Sequence, residues 1–487
     1  MNQATPDLIV VGSGFGGSVC ALRGAEAGLR VVVLERGPRL TSDLLENMAL
    51  GRAAVFRDEE TPGLLELHRL SGLLALTANG VGGGSNLYTA VTVRPRPEVF
   101  EAGWPAGVNW WRLQPLYDRV QSVICPSPVP IELGRMKAMT VLAERLNVAR
   151  ATLPLAMDWP AEPAELAVRP EISGVYAELV AWLRGGRAAR KRTLQATYLA
   201  AAEKAGAAIR PLHEVTGLAA APGGYRVFFR SFEAGAVLDS AISARRVVLA
   251  AGALGTTRLL LRCRDELRTL PALSKALGHG FSTNGDFGGL LVSPRLELPP
   301  DSGPPVTSWL DLWDRDRMYL METGLVPFDF GGFSGLLNPA RWFGGLRLSP
   351  ARRATWSFGV MGFGDDRGVL TLNHRGRLAH QRQGTAGQGF LERSLMRLGE
   401  LARAAEASLV APPGIIARRL PITVHPLGGA AMADSPRDGV TDSRGRVHGY
   451  PGLYVADGSL LPAPTGVPPS MTIAALAEHV ATALVGE

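Results

Sequence analysis

A glycine-rich turn near the start of this 487-residue chain restricts the fold more than any other feature. The apolar strand DLIVV runs into the turn at 12–17 (GSGFGG), then into the helix-like segment SVCALRGAEAG and a second apolar strand, LRVVVLE. Apolar strands on either side of a helix are typical of a βαβ unit, in which the parallel strands are buried on both faces. We therefore predict an α/β fold.

The spacing of this turn favours a dinucleotide. Gly12 permits the tight turn, Gly14 lets the backbone approach a pyrophosphate, and Gly17 lets the helix pack on the strand. Glu35 ends the second strand eighteen residues after Gly17. An acidic side chain there accepts a hydrogen bond from an adenosine ribose and disfavours a 2′-phosphate. Both NAD and FAD satisfy this pattern.

Two later segments favour FAD. The strand ARRVVLAAGAL enters a helix at 244–254, and YVADGS follows at 454–459. An extended FAD must be held at both ends, and Asp457 with Gly458 would bring a carboxylate and a backbone amide to its ribityl chain. A plain turn at this ADG sequence is the alternative interpretation.

The length exceeds the ~250–300 residues at which single cores stop growing, so two domains are expected. Residues 1–103, 191–289 and 420–487 carry the nucleotide-binding motifs and are predicted to form a discontinuous FAD-binding domain. Residues 104–190, which begin rich in Trp and Pro, and 290–419, with alternating strand patterns, are predicted to form a substrate-binding domain with an antiparallel sheet.

Composition excludes several other classes. The net charge is +7, but its arginines are scattered, and the run 184–192 (RGGRAARKR) is expected to be a solvated loop, so no nucleic-acid partner is predicted. Cys20, Cys125 and Cys263 show no CxxC spacing, which argues against disulfides and a metal site. With no signal-peptide pattern and no apolar run of about 18 residues, we expect a cytoplasmic protein without stable membrane insertion.

Six motifs in order resemble the glucose-methanol-choline (GMC) oxidoreductases, most closely their cholesterol oxidase-like branch. They are DLIVVGSGFGGS with VVLERG, GVGGGSNLY, KRTLQATYLAAAEKAGA, VVLAAGALGTTRLLLR, LGHGFSTNGD, and HPLGGAAM with LYVADGSLLP and GVPPSMTIAALAE. The resemblance implies the family's p-hydroxybenzoate hydroxylase-like two-domain architecture, bound FAD, and oxidation of a CH–OH group by hydride transfer to flavin.

The resemblance also implies site residues. His425, in HPLGG, matches the active-site histidine that contacts the substrate hydroxyl, and a neutral imidazole can accept its proton. A core histidine capping the following turn is the alternative. The remaining implied cofactor-binding residues are Phe15, Gly16, Arg36, Gly82, Gly83, Gly84, Ser85, Tyr88, Val215, Ala251, Gly252, Pro468 and Met471.

Two positions depart from the family pattern. Pro468 stands where relatives commonly place an asparagine or a second histidine, and proline has no side-chain donor. Ala90 stands where related oxidases often have an asparagine. Either Tyr88 or Asn86 supplies the lost hydrogen bond, or the enzyme performs different flavin chemistry.

Glu322, in YLMETGLVP, resembles a glutamate that abstracts a proton during double-bond isomerisation, and its apolar neighbours would raise its pKa. An exposed glutamate on an edge strand is the alternative. An apolar pocket, or plain core, is expected around Tyr319, Met321, Phe328, Phe330, Phe333, Trp342 and Phe343.

Three functions follow from these observations. The first is oxidation of a CH–OH group on an apolar alcohol or polycyclic metabolite, with His425 and Glu322 as catalytic residues beside Pro468, and with oxygen or another acceptor reoxidising the flavin. The second is non-alcohol flavin chemistry, such as desaturation, isomerisation or rearrangement in a biosynthetic pathway, which Pro468 motivates. The third is a catalytically weak FAD-binding partner protein.

Overall fold

The computed structural model describes residues 5–50, 53, 55–57, 62–168, 180–181, 183–233, 236–292, 302–323, 355–364, 367–384, 387–410 and 422–486. The α-helices described there are α1 (Phe15–Glu26), α2 (Ser42–Ala49), α3 (Trp110–Ile124), α4 (Gly134–Leu146), α5 (Tyr198–Lys204), α6 (Gly252–Leu261), α7 (Trp313–Asp316), α8 (Gln388–Ala404) and α9 (Ser470–Val485).

The strands are β1 (Leu8–Val11), β2 (Val31–Leu34), β3 (Leu65–Leu70), β4 (Leu73–Ala78), β5 (Ala149–Thr152), β6 (Met157–Asp158), β7 (Arg190–Lys191), β8 (Ala208–Arg210), β9 (His213–Ala221), β10 (Gly224–Glu233), β11 (Ala236–Ala244), β12 (Arg246–Leu249), β13 (His279–Phe281), β14 (Phe287–Val292), β15 (Ser308–Leu312), β16 (Met318–Thr323), β17 (Thr355–Gly362), β18 (Gly368–Leu372), β19 (Leu378–Arg382), β20 (Ser408–Val410), β21 (Ile422–Thr423) and β22 (Leu453–Val455).

A five-stranded parallel sheet, in the order β22-β12-β1-β2-β8, forms the centre of the nucleotide-binding half. Every residue of β1, β2 and β12 is buried, as expected for short apolar strands covered on both faces. Helix α1 crosses between β1 and β2 and packs against α9. The predicted α/β fold with its βαβ unit is confirmed.

Helix α1 begins at Phe15, three residues before the predicted start. It depends on glycines for its close approach to the sheet. A Cβ atom on Gly16 would lie 1.3 Å from the carbonyl oxygen of Ala456, and one on Gly17 would lie 2.0 Å from that of Gly12. Gly12 itself has φ +93°, a conformation that other residues rarely adopt. Side chains at Gly12, Gly16 and Gly17 therefore cannot be accepted without moving the backbone.

A six-stranded antiparallel sheet, in the order β20-β14-β17-β16-β15-β5, forms the second half. Its side chains alternate between two faces. Leu320 and Phe358 belong to a core cluster shared with α4 and α8, whereas Tyr319 and Met321 belong to the core of the nucleotide-binding half. The antiparallel sheet of the predicted fold class is thus present. It lies between helices α4 and α8 on one face and the nucleotide-binding half on the other.

Smaller sheets connect these halves: β9-β10-β11, β3-β4-β21, β13-β18-β19 and β6-β7. Contrary to the solvated loop predicted for the basic run, Lys191 is buried in β7 and donates from Nζ to the carbonyls of Asn86 and Tyr88. Among the described residues, no helix is long and apolar enough to cross a membrane, and no His/Cys/Asp/Glu group is arranged to hold a metal.

Candidate active site

A cavity of about 1650 Å³ lies between the two large sheets. One wall is formed by the turns that follow β1, β2, β12 and β22, at the carboxyl ends of the parallel strands, where open α/β sheets bind ligands. The opposite wall is formed by residues of β14, β16 and β17. The cavity therefore joins the predicted nucleotide site to the predicted substrate region.

Most sequence-predicted site residues lie along this cavity. Those that line it are Gly12, Gly14, Phe15, Gly16, Glu35, Arg36, Gly83, Gly84, Tyr88, Val215, Ala251, Gly252, His425, Asp457, Gly458 and Pro468. Those that do not line it are Gly17, Gly82, Ser85, Glu322 and Met471. The second group supports the wall from behind, except for Glu322, which lies elsewhere.

Two glycine loops meet at the middle of the cavity. A Cβ atom on Gly14 would point into open space, and Gly83 approaches so closely that its own Cβ would lie 2.7 Å from the Gly14 Cα. No acidic residue occupies the first turn of α1, and no side chain caps its N-terminus. Ser85 holds the second loop, because its hydroxyl donates to the Gly82 carbonyl and accepts from the Leu194 amide. The uncapped backbone amides at the start of α1 fit a pyrophosphate.

Glu35 lies at the nucleotide end, but its carboxylate already accepts four hydrogen bonds. They come from the Ser13 amide (3.0 Å) and hydroxyl (2.6 Å), the Gly37 amide (2.9 Å) and the Gly80 amide (3.2 Å). Ser13, which sequence reasoning missed, thereby links the first turn to Glu35. The carboxylate organises the loops around the cavity, and a ribose hydroxyl would have to share its lone pairs.

Charged side chains from four segments join at the same end. Arg36 Nη2 lies 2.6 Å from Glu66 Oε2, and Arg57 Nη2 lies 2.8 Å from Glu214 Oε2. Glu66 belongs to β3, and Glu214 adjoins the predicted cofactor-binding residue Val215 in β9. The first pair fastens β3 to the turn after β2, and the second fastens the segment around Arg57 to β9 at the same end of the cavity.

Asp457 connects two strand ends of the parallel sheet. Its carboxylate accepts from the Gly252 amide (2.9 Å), the Thr256 hydroxyl (2.5 Å) and the Ser459 amide (2.8 Å). Burial raises the pKa of this carboxyl above its usual range, although the hydrogen bonds from Ser459 and Thr256 lower it. Asp457 is therefore part of a buried network at the cavity wall, unlike a residue in a plain surface turn.

His425 forms a dyad with Asp286. The imidazole Nδ1 lies 3.0 Å from both carboxylate oxygens, and Asp286 also accepts from the Thr423 hydroxyl (2.8 Å) and the Val424 amide (2.9 Å). An ionised carboxylate only accepts hydrogen bonds, so Asp286 favours the neutral tautomer of His425 that has its proton on Nδ1 and a lone pair on Nε2. His425 is about one-fifth exposed, and its ring lines the cavity. The arrangement suits a general base.

Asp286 ends the motif LGHGFSTNGD, directly after Asn284 and Gly285. Asn284 and Gly285 have φ values of +58° and +68°. They do not form a hairpin, because β13 and β14 belong to different sheets. The Asn284 amide accepts from the backbone of Thr465 (2.8 Å) and donates to that of Val467 (2.8 Å). One turn thus positions His425 and the loop before Pro468.

The proposed substitutes for the missing donor are engaged elsewhere. The Asn86 amide donates to the carbonyls of Val81 (3.2 Å) and Asn79 (3.4 Å), and the Tyr88 hydroxyl donates to the Arg192 carbonyl (2.8 Å). Burial also raises the pKa of Tyr88 far above its usual range. Neither side chain offers a free hydrogen bond donor at the cavity.

Glu322 does not reach the cavity, so its catalytic assignment needs correction. It is fully buried in β16, where Oε1 accepts from the Thr307 amide (2.8 Å) and Oε2 lies 3.3 Å from Arg135 Nη1. Its neighbours Met321 and Thr323 line the cavity from the opposite face of the strand. The carboxylate is thus a buried ion-pair partner, and β16 is not an edge strand.

The glycine loops, the strand-end network and the volume of the cavity fit a bound dinucleotide, as expected for an FAD-dependent oxidoreductase. Family models for an FAD binding domain and for GMC oxidoreductase match residues 7–69 and 400–477. The chain belongs to the GMC oxidoreductase family and binds FAD.

Several known proteins are similar to the chain. A cholesterol oxidase from Mycobacterium tuberculosis is 30% identical over 537 residues, covering 98% of this chain and 90% of that protein. A cholesterol oxidase from Acinetobacter baumannii is 26% identical over 540 residues, covering 98% and 94%. The solved structure of pyridoxine 4-oxidase from Mesorbium loti covers 99% of both chains with a TM-score of 0.67 and 18% identity, which shows a shared fold.

Proposed function

We propose that this enzyme oxidises a CH–OH group of an apolar, steroid-like or polycyclic metabolite, with His425 as the base. The observation that carries the proposal is the His425–Asp286 dyad, whose ring lines the same cavity as the glycine loops. The cholesterol oxidases among the relatives support an apolar alcohol as the substrate. Oxygen or another electron acceptor then completes the cycle.

Each residue of the site has a separate role in the proposed reaction. Asp286 holds Nδ1–H, so that Nε2 can take the hydroxyl proton as the substrate carbon loses a hydride and the CH–OH group becomes C=O. The carboxylate also stabilises the imidazolium that forms. Bound FAD supplies the hydride acceptor. Pro468 offers only an apolar ring at the position where a second donor would polarise the hydroxyl.

Four apolar side chains on the remaining wall of the cavity suit such a substrate. Val306, Met321, Met361 and Ile473 line the cavity. Tyr319, by contrast, stacks on Trp309 with ring centroids 4.0 Å apart and belongs to the core. The predicted pocket residues Phe328, Phe330, Phe333, Trp342 and Phe343 lie outside the described part of the chain.

We further propose the domain division given by the motifs. Residues 1–103, 191–289 and 420–487 would hold FAD, and residues 104–190 and 290–419 would hold the substrate. The location of β16 and β17 on the wall opposite the glycine loops supports this division. We also propose a cytoplasmic location, which cell fractionation tests.

Anaerobic reduction of the holoenzyme tests the proposed reaction. Hydroxylated steroids and long-chain alcohols are mixed with the oxidised enzyme, and bleaching of the flavin absorbance is followed by stopped flow. We expect bleaching by at least one alcohol, and its loss in His425→Ala. An enzyme that no alcohol bleaches, or that His425→Ala leaves unchanged, would contradict the proposal.

One observation favours a second candidate, non-alcohol flavin chemistry such as desaturation or isomerisation. Pro468 removes a donor, and the Asn86 and Tyr88 donors are engaged. The variant Pro468→Asn separates the candidates. A large gain in alcohol oxidation would indicate that the proline diverts the site, whereas unchanged oxidation by an already active enzyme supports the first candidate.

A further inference from the structure

The cavity wall contributed by the six-stranded sheet lacks side chains at its centre. Gly288 of β14 lies directly opposite Gly359 of β17 in the antiparallel register, and Gly359 in turn lies opposite Met321 of β16. All three residues line the cavity. Two neighbouring strands therefore present bare backbone to the ligand space, with a methionine beside them.

The backbone conformation at position 359 does not require a glycine, and the space above Gly359 is open. Its φ is outside the left-handed region, and the nearest heavy atom to an added Cβ would be the Met321 Cε at 3.9 Å. Gly289, on the opposite face, contrasts with it, because its Cβ would lie 3.0 Å from Leu409 in the helix-covered core. A glycine inside a strand weakens the sheet, so the open Gly359, with the cavity-lining Gly288 beside it, indicates a ligand that approaches the backbone closely.

We propose that Gly288 and Gly359 form a flat shelf that binds the planar face of a rigid, fused-ring apolar ligand. This inference rests on the proposed function and specifies the substrate's shape. Neighbouring strands lie about 4.8 Å apart, so the glycines of two adjacent strands leave a patch of exposed backbone roughly as wide as a fused ring system. Met321 and Met361 flank the shelf, and their flexible thioethers can adapt to the edges of the rings.

The variant Gly359→Ala tests the shelf, with Gly399→Ala in α8 as the matched control. Gly399 carries the same substitution far from the cavity, and its added Cβ has no neighbour closer than 3.9 Å. We compare kcat/KM for a flat 5α-steroid alcohol with that for dodecanol, a flexible chain that can bend around one methyl group. We expect the alanine to lower the steroid value at least about tenfold and the dodecanol value less than about twofold.

Binding provides an independent measurement. The corresponding 3-ketosteroid has no hydroxyl to oxidise, and its dissociation constant is measured from the flavin absorbance change in the holoenzyme. Weaker ketone binding to Gly359→Ala, with the control unchanged, supports the shelf even if no alcohol is oxidised. Equal losses for steroid and dodecanol, or unchanged steroid binding, would overturn the shelf while leaving alcohol oxidation intact.

Discussion

Replacement of Asp286 by asparagine isolates the contribution of the dyad. Asparagine keeps the size of the side chain but replaces one carboxylate oxygen with a donor NH₂ group. The carboxylate now accepts from His425 Nδ1 at 3.0 Å and from the Thr423 hydroxyl and the Val424 amide. An asparagine that keeps its oxygen toward Thr423 and Val424 places its NH₂ group at the position of the other carboxylate oxygen, which lies 3.0 Å from Nδ1. The imidazole would then carry its proton on Nε2, and this nitrogen could no longer act as the base.

The expected size of the effect has two bounds. A hydrogen bond to a charged group contributes about 1.5–3 kcal/mol, or roughly 10- to 150-fold in rate. Where the same substitution imposes the wrong tautomer in Ser-His-Asp enzymes, kcat falls about 10⁴-fold. Because the Asp286 carboxylate is the hydrogen-bond partner of His425 Nδ1, we expect Asp286→Asn to lower kcat by about 10²- to 10⁴-fold.

Anaerobic stopped flow on a saturating alcohol measures this loss as the rate of flavin reduction. Flavin content and the melting temperature are measured in parallel, so that misfolding is recognised. Asp118→Asn is the control, because its side chain is 68% exposed on α3 and pairs only with Arg94 among the described ion pairs. A fully loaded Asp286→Asn enzyme that reduces its flavin within threefold of the wild-type rate would refute the role of the dyad.

Three further outcomes are expected. In Gly14→Ala the added Cβ would enter the cavity, so the variant should fold normally but bind FAD at least about tenfold more weakly in an absorbance titration. An undiminished affinity for FAD would contradict the proposed pyrophosphate site. Glu322→Gln removes the carboxylate charge that lies 3.3 Å from the buried Arg135 guanidinium. The substitution should lower the free energy of unfolding by about 3 kcal/mol in urea melts, whereas kcat should change less than about twofold. Burial lowers the pKa of Lys191 from 10.5 to about 7, so between these pH values the unfolded chain binds more protons than the folded chain. The free energy of unfolding should therefore rise with pH across this window, and Lys191→Met should remove that rise.

Local patterns in the sequence predicted the parallel sheet well. The strand, the glycine turn and Glu35 lie within 30 residues, and their spacing follows from the geometry of one βαβ unit. The structure adds Ser13 as the link between the turn and Glu35. The start of α1 was misplaced because glycines are poor helix formers, yet here they lie in the first turn.

Side-chain partners distant in the sequence were not predictable. Asp286 and His425 are 139 residues apart, so no local pattern connects them. Glu322 was misassigned because the two faces of a strand differ by one residue, and only the register of β16 shows which face meets the cavity. Lys191 lies in a basic run that resembles a solvated loop, and its burial depends on the carbonyls of Asn86 and Tyr88.

The turn at 283–286 ties together three regions of the chain that fold from distant positions. Asp286 holds His425, while Asn284 holds Thr465 and Val467, which are 181 and 183 residues away. Such contacts form late, after the loops between them have closed. The base His425 and the apolar Pro468 should therefore reach their native positions together at the end of refolding. Partial opening of this turn would displace both residues at once. Recovery of activity should lag behind recovery of helix content in a refolding time course.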